Sequence, residues 1–290
     1  MSRPQTANAM SFAPDTATAL PLHVLRPDEL EGFLSGIGKG WAGWLRSSGF
    51  EAGLGELRLL PGPKGEVLGA VAGFGAAQAR RRLRFGLAKV VPALPTGDWA
   101  LQGVLSAAER TEIALGWLLA GYRFDRYRPG RKPADLPRLV CPEGVDTDRL
   151  IAMAEGEALT RDLINTPAQD MGPGELEVVL NSLARSYGAK VAVTSGDALL
   201  ARNFPMIHAV GRASPRAPRL LDLTWGDKGP KLTLVGKGVC FDTGGLNLKP
   251  SNGMNLMKKD MGGAATVMGL AQMIMALNLP LRLRVLIPAV

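Results

Sequence analysis

Four charged residues near the end of the chain, Lys237, Asp242, Lys249 and Asp260, stand among glycines and apolar residues. The stretches are Val235-Gly-Lys-Gly-Val-Cys-Phe-Asp-Thr-Gly-Gly-Leu-Asn-Leu-Lys-Pro250 and Asn255-Leu-Met-Lys-Lys-Asp-Met-Gly-Gly-Ala-Ala265. Charge in such surroundings is costly to bury without a partner, so these groups must meet one another, an ion or a substrate. Taken singly, Asp260 reads as a helix N-cap and Lys237 with Asp242 as a surface ion pair. Taken together, two carboxylates and an amine come from a strand end, a turn and a helix start, and ligands of α/β sheets sit at the carboxyl ends of strands. Carboxylates suit a divalent ion such as Mg, Mn or Zn. A lysine joins them only as the neutral amine, and a nearby dication lowers its pKa toward that form.

The elements that must position these groups follow from local pattern. Lys231 to Lys237 alternates as a strand, with Thr233, Val235 and Lys237 on one face. Asp242-Thr-Gly-Gly245 is a turn, and the residues after Asp260 open an apolar helix to about Leu277. Gly-Lys-Gly is not a phosphate loop, because Lys237 is followed by Gly238 where that loop needs Ser or Thr. Upstream, helix signals at Gly174–Tyr187 and Asp197–Arg202 alternate with strand signals at Lys190–Thr194, Met206–Val210 and Arg219–Trp225. Asp146 or Asp148 can cap a helix that Asn165-Thr-Pro167 ends.

The first half reads as a separate α/β domain. Strand-like runs occupy Gly55–Leu60, Glu66–Phe74 and Leu83–Val91, with Arg80–Arg82 as a solvated turn before the third. Ser106 and Glu109 form a capping box for a helix to Tyr122, followed by a basic loop Arg123–Pro133 and a short strand at Leu139–Cys141. The expected division is a loose arm at 1–20, an N-terminal domain at 21–145, a linker helix at 146–166, and a second domain from 167 to 290.

Composition excludes several classes. Hydrophobic residues are 46% and charged residues 21%, which suits a chain that buries a core. Two cysteines, Cys141 and Cys240, make no disulfide framework and fit a reducing compartment. The first residues lack a secretory pattern, and no apolar run is long enough to span a membrane. Of the net charge of +8, residues 231–290 carry an excess of +5, seven basic against two acidic side chains. No recognition motif accompanies it, so nucleic acid is not an expected partner. His23 and His208 are far apart and read as structural; a His- or Cys-based zinc site and a serine hydrolase are unsupported.

The two charged stretches together, through Lys-Gly, Phe-Asp-Thr-Gly-Gly, Lys-Pro and Met-Lys-Lys-Asp-Met-Gly-Gly-Ala-Ala, resemble the first metal-binding block of the leucyl aminopeptidase family, the cytosolic two-metal peptidases also called M17. Gly121–Tyr127 and Leu163–Ala168 resemble that family's linker region, so the resemblance covers about 110–290. It implies an α/β fold: a macro-like N-terminal domain, a linker helix, and a metallopeptidase catalytic domain with a mixed central sheet, incomplete here. It implies metal-dependent release of N-terminal amino acids, leucine-like by preference, from peptides. Lys237 and Asp260 would bind the more exchangeable metal and Asp242 would bridge both. Lys249 would be the catalytic lysine, donating to the substrate carbonyl oxygen and the developing oxyanion. Met257 would line the side-chain pocket, so that Met257, Lys249 and Asp260 contact substrate. The implied cofactors are two divalent ions, Mn or Zn, with bicarbonate as a base. The implied assembly is a cytoplasmic homo-hexamer.

The chain departs from the family in one respect. The second block, Asn-Thr-Asp-Ala-Glu-Gly-Arg, which supplies two further carboxylates and an arginine for bicarbonate, is absent. The expectation is therefore an N-terminal portion cut within the catalytic domain, with an open sheet edge. The alternative is a catalytically inactive product, or a non-catalytic scaffold for oligomer or DNA contacts.

Overall fold

The alternating strand and helix signals resolve into two mixed sheets, one on each side of a division between Ala154 and Glu155. The computed structural model describes residues 10–14, 18–128 and 136–290.

In the first unit, β1 (Leu20–Leu25) leads through a 3-10 turn to α1 (Leu30–Gly36) and α2 (Lys39–Ser47). Then come β2 (Leu57–Pro61), β3 (Val67–Gly73), α3 (Ala77–Arg82), a 3-10 helix at Gly86–Ala93, β4 (Asp98–Gln102), α4 (Ala107–Ala120) and β5 (Arg138–Leu139). The five strands lie in the order β2-β3-β1-β4-β5, all neighbours parallel except β2 with β3. β3 is a nearly unbroken apolar run because it is central and covered, and α1 and α2 contribute Leu34, Ala42 and Leu45 to the core over it. The capping box at α4 is present: Ser106 Oγ accepts from Glu109 N, and the Glu109 carboxylate accepts from Ser106 N. Arg26 forks onto the same carboxylate at 2.8 and 2.9 Å.

Four local expectations are corrected. Residues 83–91 are not a strand. Phe85 takes a left-handed φ of +58°, and Gly86–Ala93 is a 3-10 helix whose Leu87, Val90 and Val91 are buried. Those three have helical spacing, and Pro92 has no N–H for a ladder. Arg80–Arg82 is accordingly the last turn of α3 and not a turn before a strand. Residues 206–210 belong to a helix, α8 (Pro205–Gly211), because Pro205 occupies its first turn and presets φ. The N-terminal arm is not loose where it is described: Met10 and Ala13 are buried, and Ala13 N donates to Leu139 O at 2.8 Å. The rest of that arm, and part of the basic loop 123–133, lie outside the described residues.

α5 (Thr147–Asn165) crosses the division between units. Asp146 Oδ1 accepts from Arg149 N and caps it. The second unit continues with α6 (Pro173–Tyr187), β6 (Lys190–Ser195), α7 (Ala198–Ala201), α8, β7 (Arg219–Trp225), β8 (Lys231–Val235), α9 (Ser251–Met254), a 3-10 helix at Met257–Met261, α10 (Gly262–Ala276) and β9 (Arg282–Ala289). Its sheet order is β6-β7-β9-β8, with β8 and β9 parallel and the other pairs antiparallel. β9 alternates. Leu283, Val285, Ile287 and Ala289 are buried in one cluster with Leu176 and Leu180 of α6 and Ala264, Met268 and Ile274 of α10. Arg284, on the opposite face, forks onto Asp222 of β7 at 3.0 and 2.7 Å. Among the described residues no helix is long and apolar enough to cross a membrane.

α5 and α10 touch backbone to backbone. A Cβ on Gly156 would stand 2.6 Å from Gly269 O, and one on Gly269 would meet Thr160 Oγ1 and Gly156 O. Gly43, in α2, has nothing within 4 Å. The two positions therefore predict opposite signs for the same substitution. Gly43→Ala is expected to stabilise by about 0.5–1 kcal/mol, the helix-propensity gain. Gly269→Ala is expected to destabilise by about 1–3 kcal/mol through overpacking. Urea midpoints at constant m decide both signs.

Candidate functional site

The site is built where β8 ends. Beyond Val235 the chain keeps running beside β9: Gly236 N donates to Leu286 O, Gly238 N to Pro288 O and Cys240 N to Val290 O, at 2.9–3.1 Å. Lys237 is thereby carried past the carboxyl end of the strand. Gly236 and Gly263 let this segment lie directly on the first turn of α10. A Cβ on Gly236 would stand 2.6 Å from Gly263 O, and one on Gly263 would stand 2.8 Å from Lys237 N. Lys237 O accepts from Ala264 N at 2.9 Å, taking the place of a side-chain cap at the start of the helix.

This contact sets Lys237 beside Asp260, with Nζ 2.6 Å from Oδ1. Asp260 lies in the 3-10 helix that leads into α10, so it is not the N-cap that the sequence suggests; Met261 holds that position and no side chain caps it. The Asp260 side chain is only 17% exposed, and its Oδ2 is buried with no hydrogen-bond partner among the described residues. An unpaired buried carboxylate oxygen is costly to leave unsatisfied.

Asp242 pairs with Lys249, not with Lys237. Its Oδ2 is 2.7 Å from Lys249 Nζ, and its Oδ1 accepts from Gly244 N at 2.8 Å. The Lys249 hydrogen bond, then the Gly244 N–H, and then the charges of Lys249 and Lys237 hold the Asp242 carboxyl below its ordinary range. Its pairing is therefore present at neutral pH and is lost as the pH falls through that depressed value. The turn between them is left-handed at four successive residues, Gly244, Gly245, Leu246 and Asn247. Leu246 has a Cβ to strain there, and its side chain is 99% exposed. Lys249 Nζ also reaches Met257 Sδ at 3.5 Å, so the lysine and the methionine meet as neighbours.

The structure thus brings all five sequence-selected residues into two adjoining contacts: Lys237 with Asp260, and Asp242 with Lys249 and Met257. Two carboxylates beside an amine are a donor set of the kind that accepts a divalent cation, and the orphaned Asp260 Oδ2 is an acceptor that a cation would satisfy. Among the described residues no group of three or more His, Cys, Asp or Glu is arranged to hold a metal. The residues present fit part of a metal site. The histidines stand elsewhere. His23 packs on Phe33 and burial lowers its pKa, and His208 Nε2 lies 3.3 Å from Asp197. One neighbour escaped the sequence reading: Lys258 Nζ donates to Asn165 O at 3.2 Å, whereas Lys259 is exposed. Two adjacent lysines look alike in sequence, and only the fold turns one inward.

Comparison with known proteins places both units in one family. The model of the cytosol aminopeptidase family catalytic domain matches residues 158–290, and that of the M17 aminopeptidase N-terminal domain matches 20–142. The chain is 34% identical to a probable cytosol aminopeptidase of Leifsonia xyli subsp. xyli, over 96% of this chain and 60% of that one. It is 35% identical to one of Aeropyrum pernix, over 79% and 45%. The crystal structure of a cytosol aminopeptidase from Coxiella burnetii superposes with a TM-score of 0.86 at 38% identity, covering 96% of this chain and 60% of that one. The bottromycin maturation enzyme BotP in complex with Mn gives 0.78 at 32%, covering 94% and 59%. The chain spans less than two thirds of the length of each of these proteins.

Cys240, in the segment between Lys237 and Asp242, is buried, and burial, then the charge of Glu175, pushes its thiol up to about 12 against the opposing charges of Arg216 and Arg219. Cys141 is half-buried. At pH 8 a thiol reagent is expected to label one site per native chain, lost in Cys141→Ser and kept in Cys240→Ala, with Cys240 reacting only on unfolding. The stability contributed by the protonated Cys240 is intact below about 9 and falls as the pH rises toward about 12.

Proposed function

The chain belongs to the cytosol aminopeptidase (M17) family, and from that premise we propose that the loops around Lys237, Asp242, Lys249, Met257 and Asp260 are part of the active site of a metal-dependent aminopeptidase. The whole protein would release N-terminal amino acids, leucine-like by preference, from peptides. The observation that carries the reading is the pairing of each carboxylate with a displaceable ammonium, together with the unpartnered Asp260 Oδ2.

Bound divalent ions would supply an activated water and polarise the scissile carbonyl. Asp260 and Lys237 would hold one ion and Asp242 would bridge to a second. Manganese is supported by the Mn complex of BotP, and zinc suits the same donors. Lys237 can ligate only after it gives up its proton and its contact with Asp260 Oδ1. Asp242, already held as a carboxylate by Lys249 and the Gly244 N–H, keeps its charge state and gives up only its contact with Lys249. Lys249, released from Asp242, has a compact ammonium that can turn toward the carbonyl oxygen and stabilise negative charge developing there. Met257, in contact with Lys249, offers a polarizable apolar wall for the substrate's first side chain.

Two carboxylates beside two lysines cannot neutralise two dications. The proposal therefore requires further acidic ligands from outside these 290 residues, and bicarbonate as a base, a homo-hexameric assembly and a cytoplasmic site of action go with that longer protein. The same observation favours a second reading for the 290-residue chain by itself, a non-catalytic one.

Calorimetry with Mn or Zn on the 290-residue chain is expected to show fewer than two tight sites; two tight stoichiometric sites would sink the incomplete-site reading. In protein carrying the complete ligand set, Lys249→Ala is expected to lower kcat on a leucine amide by about 10²–10³ while leaving metal content unchanged. Near-normal kcat in that variant would remove Lys249 from the oxyanion role.

A further inference from the structure

Asp260 and Met257 both ride on a 3-10 helix of five residues, Met257–Met261. At its two ends Lys259 N donates to Leu256 O at 3.0 Å, and Gly262 N to Lys259 O. Leu256, which leads into it, is exposed. So short a 3-10 helix, with the poorer bonds of that geometry, does not hold two site residues by itself.

The missing support comes from α5. This helix runs antiparallel along α10, and its contacts step evenly. Gly156 lies against Gly269, and Thr160 Oγ1 donates to Ala265 O at 3.3 Å. A Cβ on Gly262 would stand 3.7 Å from Ile164 Cδ1. One residue further, Asn165 O accepts from Lys258 Nζ. The series thus passes from α10 onto the 3-10 helix at its last step. Asn165 is the final residue of α5, where helix carbonyls carry partial negative charge, so an ammonium is well placed there.

We infer that Lys258 is a positioning residue: its ammonium clamps the Met257–Met261 helix to the carboxyl end of α5 and so sets the placement of Asp260 and Met257. The clamp stands on the geometry alone; its bearing on metal and substrate rests on the function proposed above. Lys258→Met removes the ammonium and keeps an unbranched apolar stem out to the ε position. Lys258→Arg keeps a donor, and Lys259→Met is the matched control on the exposed neighbour.

The test is amide hydrogen exchange by NMR on the full 290-residue chain. In Lys258→Met the Lys259 and Gly262 amides are expected to exchange about tenfold faster, the loss of one charged hydrogen bond, with Leu223 and Val285 unchanged. Lys258→Arg is expected to restore wild-type exchange and Lys259→Met to leave it untouched. If only the Thr166 amide at the end of α5 speeds up, Lys258 is merely a helix cap and the inference is overturned; unchanged Lys259 and Gly262 amides overturn it as well. A Mn2+ titration of protein carrying the complete ligand set separates this from the proposed function. Absence of paramagnetic broadening at Asp242 and Asp260 in that protein would overturn the metal reading while the exchange result stood.

Discussion

The site depends on one close backbone approach, that of the end of β8 to the start of α10. Gly236 and Gly263 are its two sides: a methyl group on Gly236 would run into Gly263 O, and one on Gly263 into Lys237 N. The bond from Ala264 N to Lys237 O then does two things: it satisfies an orphan donor of the helix, and it holds the strand extension on the helix. Lys237 follows Gly236 directly and Asp260 precedes Gly263 by three residues. Prying the two segments apart would therefore separate the ion pair as surely as mutating it.

The electrostatics are arranged to be exchangeable. Lys237 is mostly exposed, and Lys249 and Asp242 are about a third exposed, so each pair is worth about 0–1 kcal/mol to stability. A ligand can compete with contacts of that size. Asp260 Oδ2 is different in kind, because among the described residues no donor meets it. The Arg284–Asp222 fork makes the contrast. It joins neighbouring strands in ideal bidentate geometry, leaves no oxygen idle, and reads as structure.

The strained turn between Asp242 and Lys249 belongs to the same economy. Four left-handed residues in succession bring an aspartate and a lysine seven positions apart into contact, and they push Leu246 and Leu248 into solvent. Such conformations persist where the surroundings over-determine them, and they gather at functional sites. Here the determinants are the Gly244 N–H on Asp242 and the bond from Lys249 N to Thr243 O.

The sequence by itself determined everything that rests on neighbours along the chain. The capping box at Ser106 and Glu109, a helix cap from Asp146 or Asp148, the stop at Pro167 and the five candidate residues that the structure brings into contact were all legible there. It misread residues 83–91 and 206–210, where apolar and β-branched residues suit strand and helix alike, and Pro92 and Pro205 are the sharper local signals. What only the tertiary structure decided is who pairs with whom. Sequence suggested Lys237 with Asp242; the fold joins Lys237 to Asp260, 23 residues on, and turns Lys258 rather than Lys259 toward α5. Those choices depend on where two glycines let backbones meet, a distance in space that no local pattern of charges encodes.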